Sequence, residues 1–293
     1  MFRILVLSGK GGTGKTTVSS ALIKLSDARA YADCDVDAPN LHLAVEHNDL
    51  KLQSDFHGME KARIDQTLCI NCGICLNNCK FDAIEFNSTY TVDFYSCEGC
   101  SVCAATCPAG AIEMVPAVAG KLELYNSDRI FSTAKLNMGF GNSGLLVTEV
   151  KKNLDRHAKG SEFAVIDGSP GIGCPVIASI SGVDMLLLVT EPTLSGISDM
   201  KRIIDTARGF YPEIIVCINK FDINLKNTEQ IEMICRDMNI PVVGKIPYDP
   251  TVSTALNSGI NITDFDCPAS AKLKELYYNT FGLINKRIKE NIE

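Results

Sequence analysis

Eight of the thirteen cysteines occur in two runs that share the spacing C-x-x-C-x-x-C-x-x-x-C. They are Cys69, Cys72, Cys75 and Cys79 in the first run and Cys97, Cys100, Cys103 and Cys107 in the second. Thiolates are soft ligands that suit iron–sulfur clusters, and three cysteines separated by two residues each can surround one cluster from a tight loop. The spacing therefore predicts two 4Fe–4S clusters.

A disulfide framework and a pair of zinc sites are the alternatives for these cysteines. We expect no disulfides, because no secretory signal is recognisable and thiols stay reduced in the cytoplasm, where we expect the protein to be located. Zinc usually takes two C-x-x-C pairs separated by a longer spacer, which differs from the runs in this chain. Iron–sulfur clusters fit the spacing better than either alternative.

The two runs belong to an internal repeat with an offset of 28 positions. The residues that recur are Asp65, Cys69, Cys79, Ala83, Ile84 and Glu85, which reappear as Asp93, Cys97, Cys107, Ala111, Ile112 and Glu113. A duplicated strand–loop–helix unit predicts a pseudo-symmetric module that buries both clusters between its halves. Pro108 follows Cys107, but Lys80 follows Cys79. Because a cation favours the more negative reduced state of a cluster, the two reduction potentials can differ.

Residues 58–118 closely resemble a bacterial two-cluster 4Fe–4S ferredoxin, which is an α+β fold. In such ferredoxins the fourth ligand of each cluster comes from the other run. The resemblance therefore implies two crossed ligand sets. Cluster I would be held by Cys69, Cys72, Cys75 and Cys107, and cluster II by Cys97, Cys100, Cys103 and Cys79.

A phosphate-binding loop, GKGGTGKT, occupies residues 9–16. The apolar run 2–7 before it predicts a buried strand, and apolar residues at helical spacing in 18–25 predict a helix after it, which is the context that the Walker A motif requires. Lys15 would reach the β- and γ-phosphates and the Thr16 hydroxyl would bind Mg²⁺. The predicted nucleotide-binding residues of the loop are Gly11, Gly12, Thr13, Gly14, Lys15, Thr16 and Thr17.

Lys10 follows the first glycine of the loop directly. This position makes the loop resemble the deviant Walker A group, which includes MinD, ParA, Mrp-type proteins and the nitrogenase iron protein. The resemblance implies that Lys10 reaches across a nucleotide-dependent homodimer to the partner's phosphates, so that Lys10 and Lys15 both serve catalysis.

Three further segments resemble parts of that group, and DCDVD at residues 33–37 resembles its first switch. In DCDVD, Asp35 aligns best with the residue that positions the attacking water, whereas Asp33 and Asp37 align less well. FAVID ends at Asp167 and resembles a Walker B strand, whose carboxylate would support Mg²⁺. GSPGIG, which follows it, resembles the second switch.

Asn219, in the segment CINKFD, is expected to hydrogen-bond the base. The segment also matches the N-K-x-D pattern of guanine-specific GTPases, with Asp222 as the reader of guanine. Within the deviant Walker A group the asparagine usually reads adenine, which favours ATP over GTP. Pro247, Tyr248 and Asp249 are expected to form the other wall of the base pocket.

Apolar strand-like runs alternate with helical patterns in the second half of the chain. They are the runs 185–189, 214–218 and 242–246 and the helical patterns 198–208 and 228–238. The alternation predicts an α/β fold in which a mostly parallel sheet is flanked by helices. We expect a P-loop nucleotide-binding domain of residues 1–57 and 119–293, interrupted by the ferredoxin-like domain 58–118.

The formal net charge is −7, and two oxidised clusters would add about −4. Such an acidic protein is a poor nonspecific binder of nucleic acid, so no nucleic-acid partner is expected.

No apolar run approaches the ~20 residues that span a membrane. The last helix is typical of either a core-packed helix or an amphipathic membrane anchor, and we favour core packing. Its apolar face consists of Leu273, Leu276, Tyr277, Ile284 and Ile288.

Five cysteines lie outside the two runs. They are Cys34, Cys174, Cys217, Cys235 and Cys267. None of them forms the C-terminal C-x-x-C of Mrp-like cluster scaffolds. Cys174 lies seven residues after Asp167, the interval at which the nitrogenase iron protein places one ligand of its subunit-bridging cluster, but the second ligand has no counterpart. We therefore favour an unligated thiol at Cys174.

Three hypotheses about function remain open. In the first, ATP binding and hydrolysis in a homodimer gate electron transfer through the two clusters to a redox partner. In the second, the protein is an ATPase that assembles or carries iron–sulfur clusters or another metallocofactor. In the third, it is a positioning ATPase whose ferredoxin-like domain only docks a partner.

Overall fold

Short runs of aliphatic and β-branched residues form the central strands, as the first of them (FRILVLS) illustrates. The computed structural model describes residues 1–47 and 50–290. Its strands are β1 (Phe2–Ser8), β2 (Ala30–Asp33), β3 (Leu50–His57), β4 (Lys61–Ile64), β5 (Ile84–Asn87), β6 (Thr89–Val92), β7 (Ile112–Val115), β8 (Val118–Asn126), β9 (Ile130–Leu136), β10 (Phe163–Asp167), β11 (Met185–Thr190), β12 (Glu213–Asn219) and β13 (Val242–Ile246). Its α-helices are α1 (Lys15–Leu25), α2 (Ile74–Asn78), α3 (Val102–Ala105), α4 (Ser143–His157), α5 (Cys174–Ile180), α6 (Leu194–Arg208), α7 (Leu225–Asp237), α8 (Thr251–Asn257) and α9 (Pro268–Glu290).

Nine of these strands form one sheet in the order β13-β12-β11-β1-β10-β2-β9-β8-β3. Neighbouring strands from β13 to β9 are parallel, whereas β8 is antiparallel to both of its neighbours, β9 and β3. The prediction of an α/β fold with a mostly parallel sheet flanked by helices is therefore confirmed. Because parallel strands share one direction, their carboxyl ends meet at a single edge, where ligands usually bind in such sheets.

Both faces of the sheet are covered, and successive side chains of β1 point to opposite faces. Ile4 and Val6 pack with buried residues of α1, α8 and α9. Leu5 and Leu7 pack on the other face with buried residues of α4, α5, α6 and α7. This double burial explains why the central strands are continuous apolar runs rather than alternating ones.

A smaller module lies between β3 and β8. It consists of the antiparallel pairs β4–β7 and β5–β6 with the short helices α2 and α3. Its own core contains Ala62, Cys75, Ala83, Ile84, Cys97, Cys103 and Ile112. His57 at the end of β3 pairs with Val118 at the start of β8, so the module leaves and re-enters the sheet at adjacent positions. Val118, the last residue of the predicted insertion, is already part of the large sheet.

The repeat is visible in the backbone of the module. Asn71 and its equivalent Gly99 have φ of 56° and 69°, and Gly73 and its equivalent Ser101 have φ of 77° and 63°. Two non-glycine residues thus adopt the left-handed conformation that glycine holds in the other half. The two halves therefore form the same tight turn immediately before α2 and α3.

Helix α9 packs against the sheet. Leu273, Leu276 and Ile284 are at most 2% exposed, and Leu276 contacts Gly244 in β13. The side chain of Ile288 lies outside the described part of the chain. The burial supports the core-packed interpretation of this helix. No helix among the described residues is long and apolar enough to cross a membrane.

Candidate functional site

The phosphate-binding loop joins β1 to α1 in a conformation that needs glycine at two places. Gly12 and Gly14 have φ of 76° and 93°, in the left-handed region. A Cβ atom on Gly14 would also lie 2.3 Å from Nδ2 of Asn219. The Thr13 hydroxyl donates to the Lys10 carbonyl over 2.9 Å and so closes the loop. The N-terminus of α1 therefore faces the carboxyl edge of the sheet, where it can stabilise an anion.

The predicted loop residues differ in exposure. Gly11 and Gly12 are exposed, Gly14, Thr16 and Thr17 are half-buried, and Thr13 and Lys15 are buried. The main chain at the tip of the loop is thus open to a ligand, while the lysine that follows lies within the protein.

Lys15 lies among acidic groups at the ends of β10 and β2. Its Nζ is 2.9 Å from Oδ2 of Asp167 and 3.8 Å from Oδ2 of Asp35. Burial by itself would lower the pKa of Lys15, but the attraction of Asp167, Asp35 and Asp33 outweighs it and raises that pKa. The lysine therefore stays charged in this buried place.

The Thr16 hydroxyl and the Asp167 carboxylate meet beside this lysine. Thr16 Oγ1 is 2.8 Å from Oδ2 of Asp167 and 3.0 Å from Oδ1 of Asn40. The Ser19 hydroxyl donates to Oδ1 of Asp167 over 2.6 Å. Since Mg²⁺ prefers oxygen ligands and retains several waters, a hydroxyl next to a carboxylate fits a magnesium nucleotide.

The three acids of DCDVD have different environments. Asp33 is fully buried, and its two oxygens accept three backbone N–H groups, from Asp35, Asn40 and Leu41. Burial and repulsion from Asp167 raise the pKa of Asp33. Asp33 thus shapes the segment that carries the other two acids.

Of the other two acids, Asp35 lies next to Lys15 in the nucleotide site, whereas Asp37 is exposed. Burial raises the pKa of Asp35 to about 6, although Lys15 opposes the shift. The proximity of Asp35 to Lys15 agrees with its predicted role, which stays a prediction.

The acidic limb of the ATPase pH profile should report this group. If ionised Asp35 positions the attacking water, turnover should be full well above pH 6, half-maximal at about pH 6 and lost at lower pH as the carboxylate is protonated. Asp35→Asn should reduce turnover at every pH, whereas Asp37→Asn should keep the wild-type maximum and move the acidic limb slightly to lower pH, because Asp37 helps to raise the pKa of Asp35. Nucleotide affinity measured at the same pH values separates turnover from binding. An unchanged acidic limb in Asp35→Asn would exclude this assignment.

Lys10 is held by a carboxylate of its own chain. Its Nζ is 2.5 Å from Oε1 of Glu191, which directly follows β11. Oε2 of Glu191 lies 3.4 Å from Nζ of Lys220. Burial would raise the pKa of Glu191, but Lys10 and Lys220 hold that pKa below its usual value. The Lys10 side chain is 39% exposed, so it lies at the surface from which it would reach a second protomer.

Asn219 ends β12 and lies against the phosphate-binding loop. Its Nδ2 donates to the Thr13 carbonyl over 2.8 Å. In the same region, Oδ1 of Asp222 accepts from the backbone N–H of Tyr248 over 2.7 Å. Tyr248 is 60% exposed and Pro247 is half-buried. The structure thus brings the predicted base-pocket residues to the same edge of the sheet, and their contacts with a base stay a prediction.

The cysteines of the module line two separate cavities. One cavity is lined by Cys69, Cys72, Cys75 and Cys107, and the other is lined by Cys79, Cys97, Cys100 and Cys103. Each cavity takes three thiols from one run and one from the other. These groupings are the two crossed sets that the ferredoxin resemblance implies.

The arrangement of the thiols suits a cluster better than a single metal ion. Among the described residues, no three Cys, His, Asp or Glu side chains are grouped so as to hold one ion. Four sulfurs around zinc, each at about 2.3 Å, would lie within about 4 Å of one another. Four thiols around one cavity match the number of ligands of a 4Fe–4S cluster, whose presence stays a prediction.

The cysteines outside the module have other environments. Cys34, Cys217 and Cys235 are small buried side chains. Burial raises the pKa of Cys34 and of Cys217 to about 12 and that of Cys235 to about 11, so these thiols stay protonated. Cys267 is half-buried and accepts a hydrogen bond from the backbone N–H of Ser270. Cys174 is exposed at the start of α5. Whether it binds a further cluster stays untested.

Sequence reasoning missed four residues around these sites: Ser19, Asn40, Glu191 and Lys61. Glu191 directly follows a strand of the parallel sheet, and that position is a signal for ligand-edge residues. Ser19 lies one helical turn after Lys15 and shares its face. Asn40 and Lys61 carry no local signal, since only the fold brings them to their partners.

Comparison with known proteins relates most of the chain to one family. Residues 4–262 match the CobQ/CobB/MinD/ParA nucleotide binding domain. An uncharacterized protein of Methanocaldococcus jannaschii is 33% identical, with 94% of this chain and 95% of the relative covered. The iron-sulfur cluster carrier protein of Pyrococcus abyssi is 24% identical, with 94% of this chain and 84% of the relative covered.

Among solved structures, the cell division ATPase MinD of Pyrococcus furiosus has the same fold. It is 19% identical, with a TM-score of 0.56 over 97% of this chain and 100% of that chain. The shared fold agrees with the geometry of the phosphate-binding loop and with the family match over most of the sequence. The chain belongs to the CobQ/CobB/MinD/ParA family of P-loop ATPase domains.

Proposed function

We propose that the protein is a nucleotide-switched iron–sulfur ATPase, in which ATP binding and hydrolysis by a homodimer are coupled to electron transfer through two 4Fe–4S clusters. In this proposal residues 58–117 form the ferredoxin-like domain, and residues 1–57 and 118–293 form the ATPase domain, since Val118 already pairs with His57. The observation that carries this proposal is the pair of cavities, each lined by four thiols in crossed sets. When bound, the clusters supply one-electron redox chemistry, and the chain supplies their ligands and surroundings.

ATP with Mg²⁺ is the proposed nucleotide. Lys15 would contact the β- and γ-phosphates, and Thr16 with Asp167 would hold the metal. Asn219 would read adenine from its place beside the loop. Asp222, the reader of guanine in the GTP alternative, accepts the backbone N–H of Tyr248 through Oδ1.

A chain of packed elements links the nucleotide site to the module. Helix α5 follows the segment after Asp167 and packs against α4 at both ends. A Cβ on Gly144 in α4 would lie 3.2 Å from the Cys174 carbonyl. At the other end, Nζ of Lys151 in α4 donates to the carbonyls of Ala178 and Ser179 and also to that of Ser181.

The loop before α4 then contacts the module. Phe140 packs edge to face on Phe94, with ring centroids 5.6 Å apart, and lies 6.3 Å from Tyr95. A Cβ on Gly141 would lie 3.4 Å from Oε2 of Glu98, which lines the cavity of cluster II. A shift of the segment after Asp167 would therefore be transmitted through α5 and α4 to the surroundings of cluster II.

Binding of the nucleotide should therefore change the reduction potential of a cluster. Coupling of 1–3 kcal/mol corresponds to about 40–130 mV for one electron. Anaerobic redox titrations followed by EPR, with no nucleotide, with ADP and with a nonhydrolysable ATP analogue, measure it. Phe140→Ala should reduce the difference between nucleotide states, whereas Tyr278→Ala, an exposed aromatic on α9, should leave it unchanged.

Three superimposable titrations, with equal ATPase rates in oxidised and reduced protein, would contradict the proposed coupling. The ferredoxin-like domain would then only dock a partner, as the positioning hypothesis holds. The partner is an unidentified redox or metallocofactor-assembly protein, and capture by anaerobic ATP-trapped protein would identify it.

A cluster carrier is the second candidate function, because the relative in Pyrococcus abyssi is named an iron-sulfur cluster carrier protein. Cluster transfer distinguishes the two functions. A carrier would lose iron to an apo-ferredoxin in the presence of ATP, whereas permanent clusters would stay bound. The complete set of four thiols at each cavity favours permanent clusters.

A further inference from the structure

Lys61 is a buried cation in the module. It begins β4 and is 3% exposed. Its Nζ donates to the carbonyl of Cys97, a proposed ligand of cluster II. The same Nζ lies 5.0 Å from the ring centroid of Phe140 and 5.8 Å from that of Phe94. The ammonium is therefore enclosed between the backbone of Cys97 and the aromatic rings of Phe94 and Phe140.

This ammonium has no carboxylate partner within 4.0 Å in the part of the chain that the structure describes. A buried charge is costly unless it is compensated, and one carbonyl with two aromatic faces compensates only part of it. A 4Fe–4S core with four thiolates carries about −2 when oxidised and about −3 when reduced. The exposed carboxylate of Asp93 attracts Lys61 from a greater distance, and cluster II would supply further negative charge beside Cys97.

The other half of the repeat lacks this cation. The offset of 28 positions places Thr89 at the equivalent position, where it begins β6 and is exposed. Arg63, the nearest cation along β4, is exposed and paired with Glu113. Lys80, which follows the cluster II ligand Cys79, is exposed as well. An exposed charge is screened by water and salt, so Lys61 acts on its cluster more strongly than Lys80.

We propose that Lys61 makes cluster II the cluster of higher reduction potential, so that an electron in the module rests on the cluster that lies against the ATPase domain. The inference rests on the proposed function, since it requires both clusters. A fixed positive charge stabilises the reduced form more than the oxidised form, because the reduced form is more negative. The electron would then lie next to Phe140, where the nucleotide-dependent elements reach the module.

Neutral variants of Lys61 test this inference in the full-length protein. Lys61→Met removes the charge and the hydrogen bond to Cys97, whereas Lys61→Gln removes the charge and retains a donor. In an anaerobic redox titration followed by EPR, the higher of the two midpoints should fall in both variants. We expect the ratio of reduced to oxidised cluster at a fixed potential to fall about tenfold, which is about 59 mV. The lower midpoint should stay in place.

Lys80→Met is the matched control, since it removes an exposed cation beside the same cluster. It should change the ratio of reduced to oxidised cluster at a fixed potential by no more than about twofold. Iron and sulfide analysis precedes each titration. Wild-type protein without eight irons would refute the proposed function, whereas a fully loaded Lys61→Gln protein with unchanged midpoints would refute only the role of Lys61. Equal shifts of both midpoints in the Lys61 variants would also overturn the role proposed for Lys61.

Discussion

Replacing Lys10 by alanine should abolish ATP turnover while leaving nucleotide binding by the monomer largely intact. In this structure Lys10 contacts Glu191 of its own chain rather than the centre of the phosphate-binding loop. In the proposed dimer it leaves that carboxylate and reaches the partner's phosphates, where a cation in trans stabilises the charge of the transition state. Contributions of this kind are worth about 10³-fold or more in turnover. Steady-state ATPase assays and equilibrium binding of a fluorescent nucleotide measure the two effects separately.

Lys15→Ala is the informative comparison, because Lys15 is buried beside Asp167 and Asp35. Its removal leaves these acids without their cation and should weaken nucleotide binding itself by about 100-fold. Equal loss of binding in both variants would contradict the division of roles. If the wild-type protein stays monomeric with a nonhydrolysable ATP analogue in sedimentation experiments, Lys10 has no partner site to reach.

Cysteine variants should remove one cluster at a time, in pairs that cross between the two runs. Cys79→Ser and Cys100→Ser should lose the same cluster, since both side chains line one cavity. Cys107→Ser and Cys72→Ser should lose the other. Each variant should retain about four of the eight irons of the wild-type protein. Anaerobic iron and sulfide analysis with EPR of the reduced protein measures both the content and the identity of the remaining cluster.

Cys174→Ser serves as the control outside the module, because its thiol is exposed and far from both runs in sequence. It should retain eight irons. If Cys79→Ser instead shared its spectrum with Cys72→Ser, each run would hold its own cluster and the crossed arrangement would be wrong. Stoichiometric zinc in the wild-type protein would exclude iron–sulfur clusters and, with them, the role proposed for Lys61.

Two features of the fold were predictable because they depend on neighbours in sequence. The loop 9–16 needs a strand before it and a helix after it, and apolar periodicity predicts both elements correctly. The alternation after Asp167 predicts β11, α6, β12, α7 and β13 to within a few residues. The strand β3 was not anticipated, because its stability comes from pairing with β8, which lies more than 60 positions later in the chain.

By itself the sequence determined which groups can do chemistry: the eight thiols, the loop lysines and the acids that end two strands. Ligand type and spacing are local properties, so they can be read without coordinates. Only the tertiary structure decided which partners these groups have. The Glu191 contact with Lys10 and the enclosure of Lys61 by Cys97 and Phe140 join distant segments. Such contacts depend on strand order and burial, which set both the distance between two charges and the strength of their interaction.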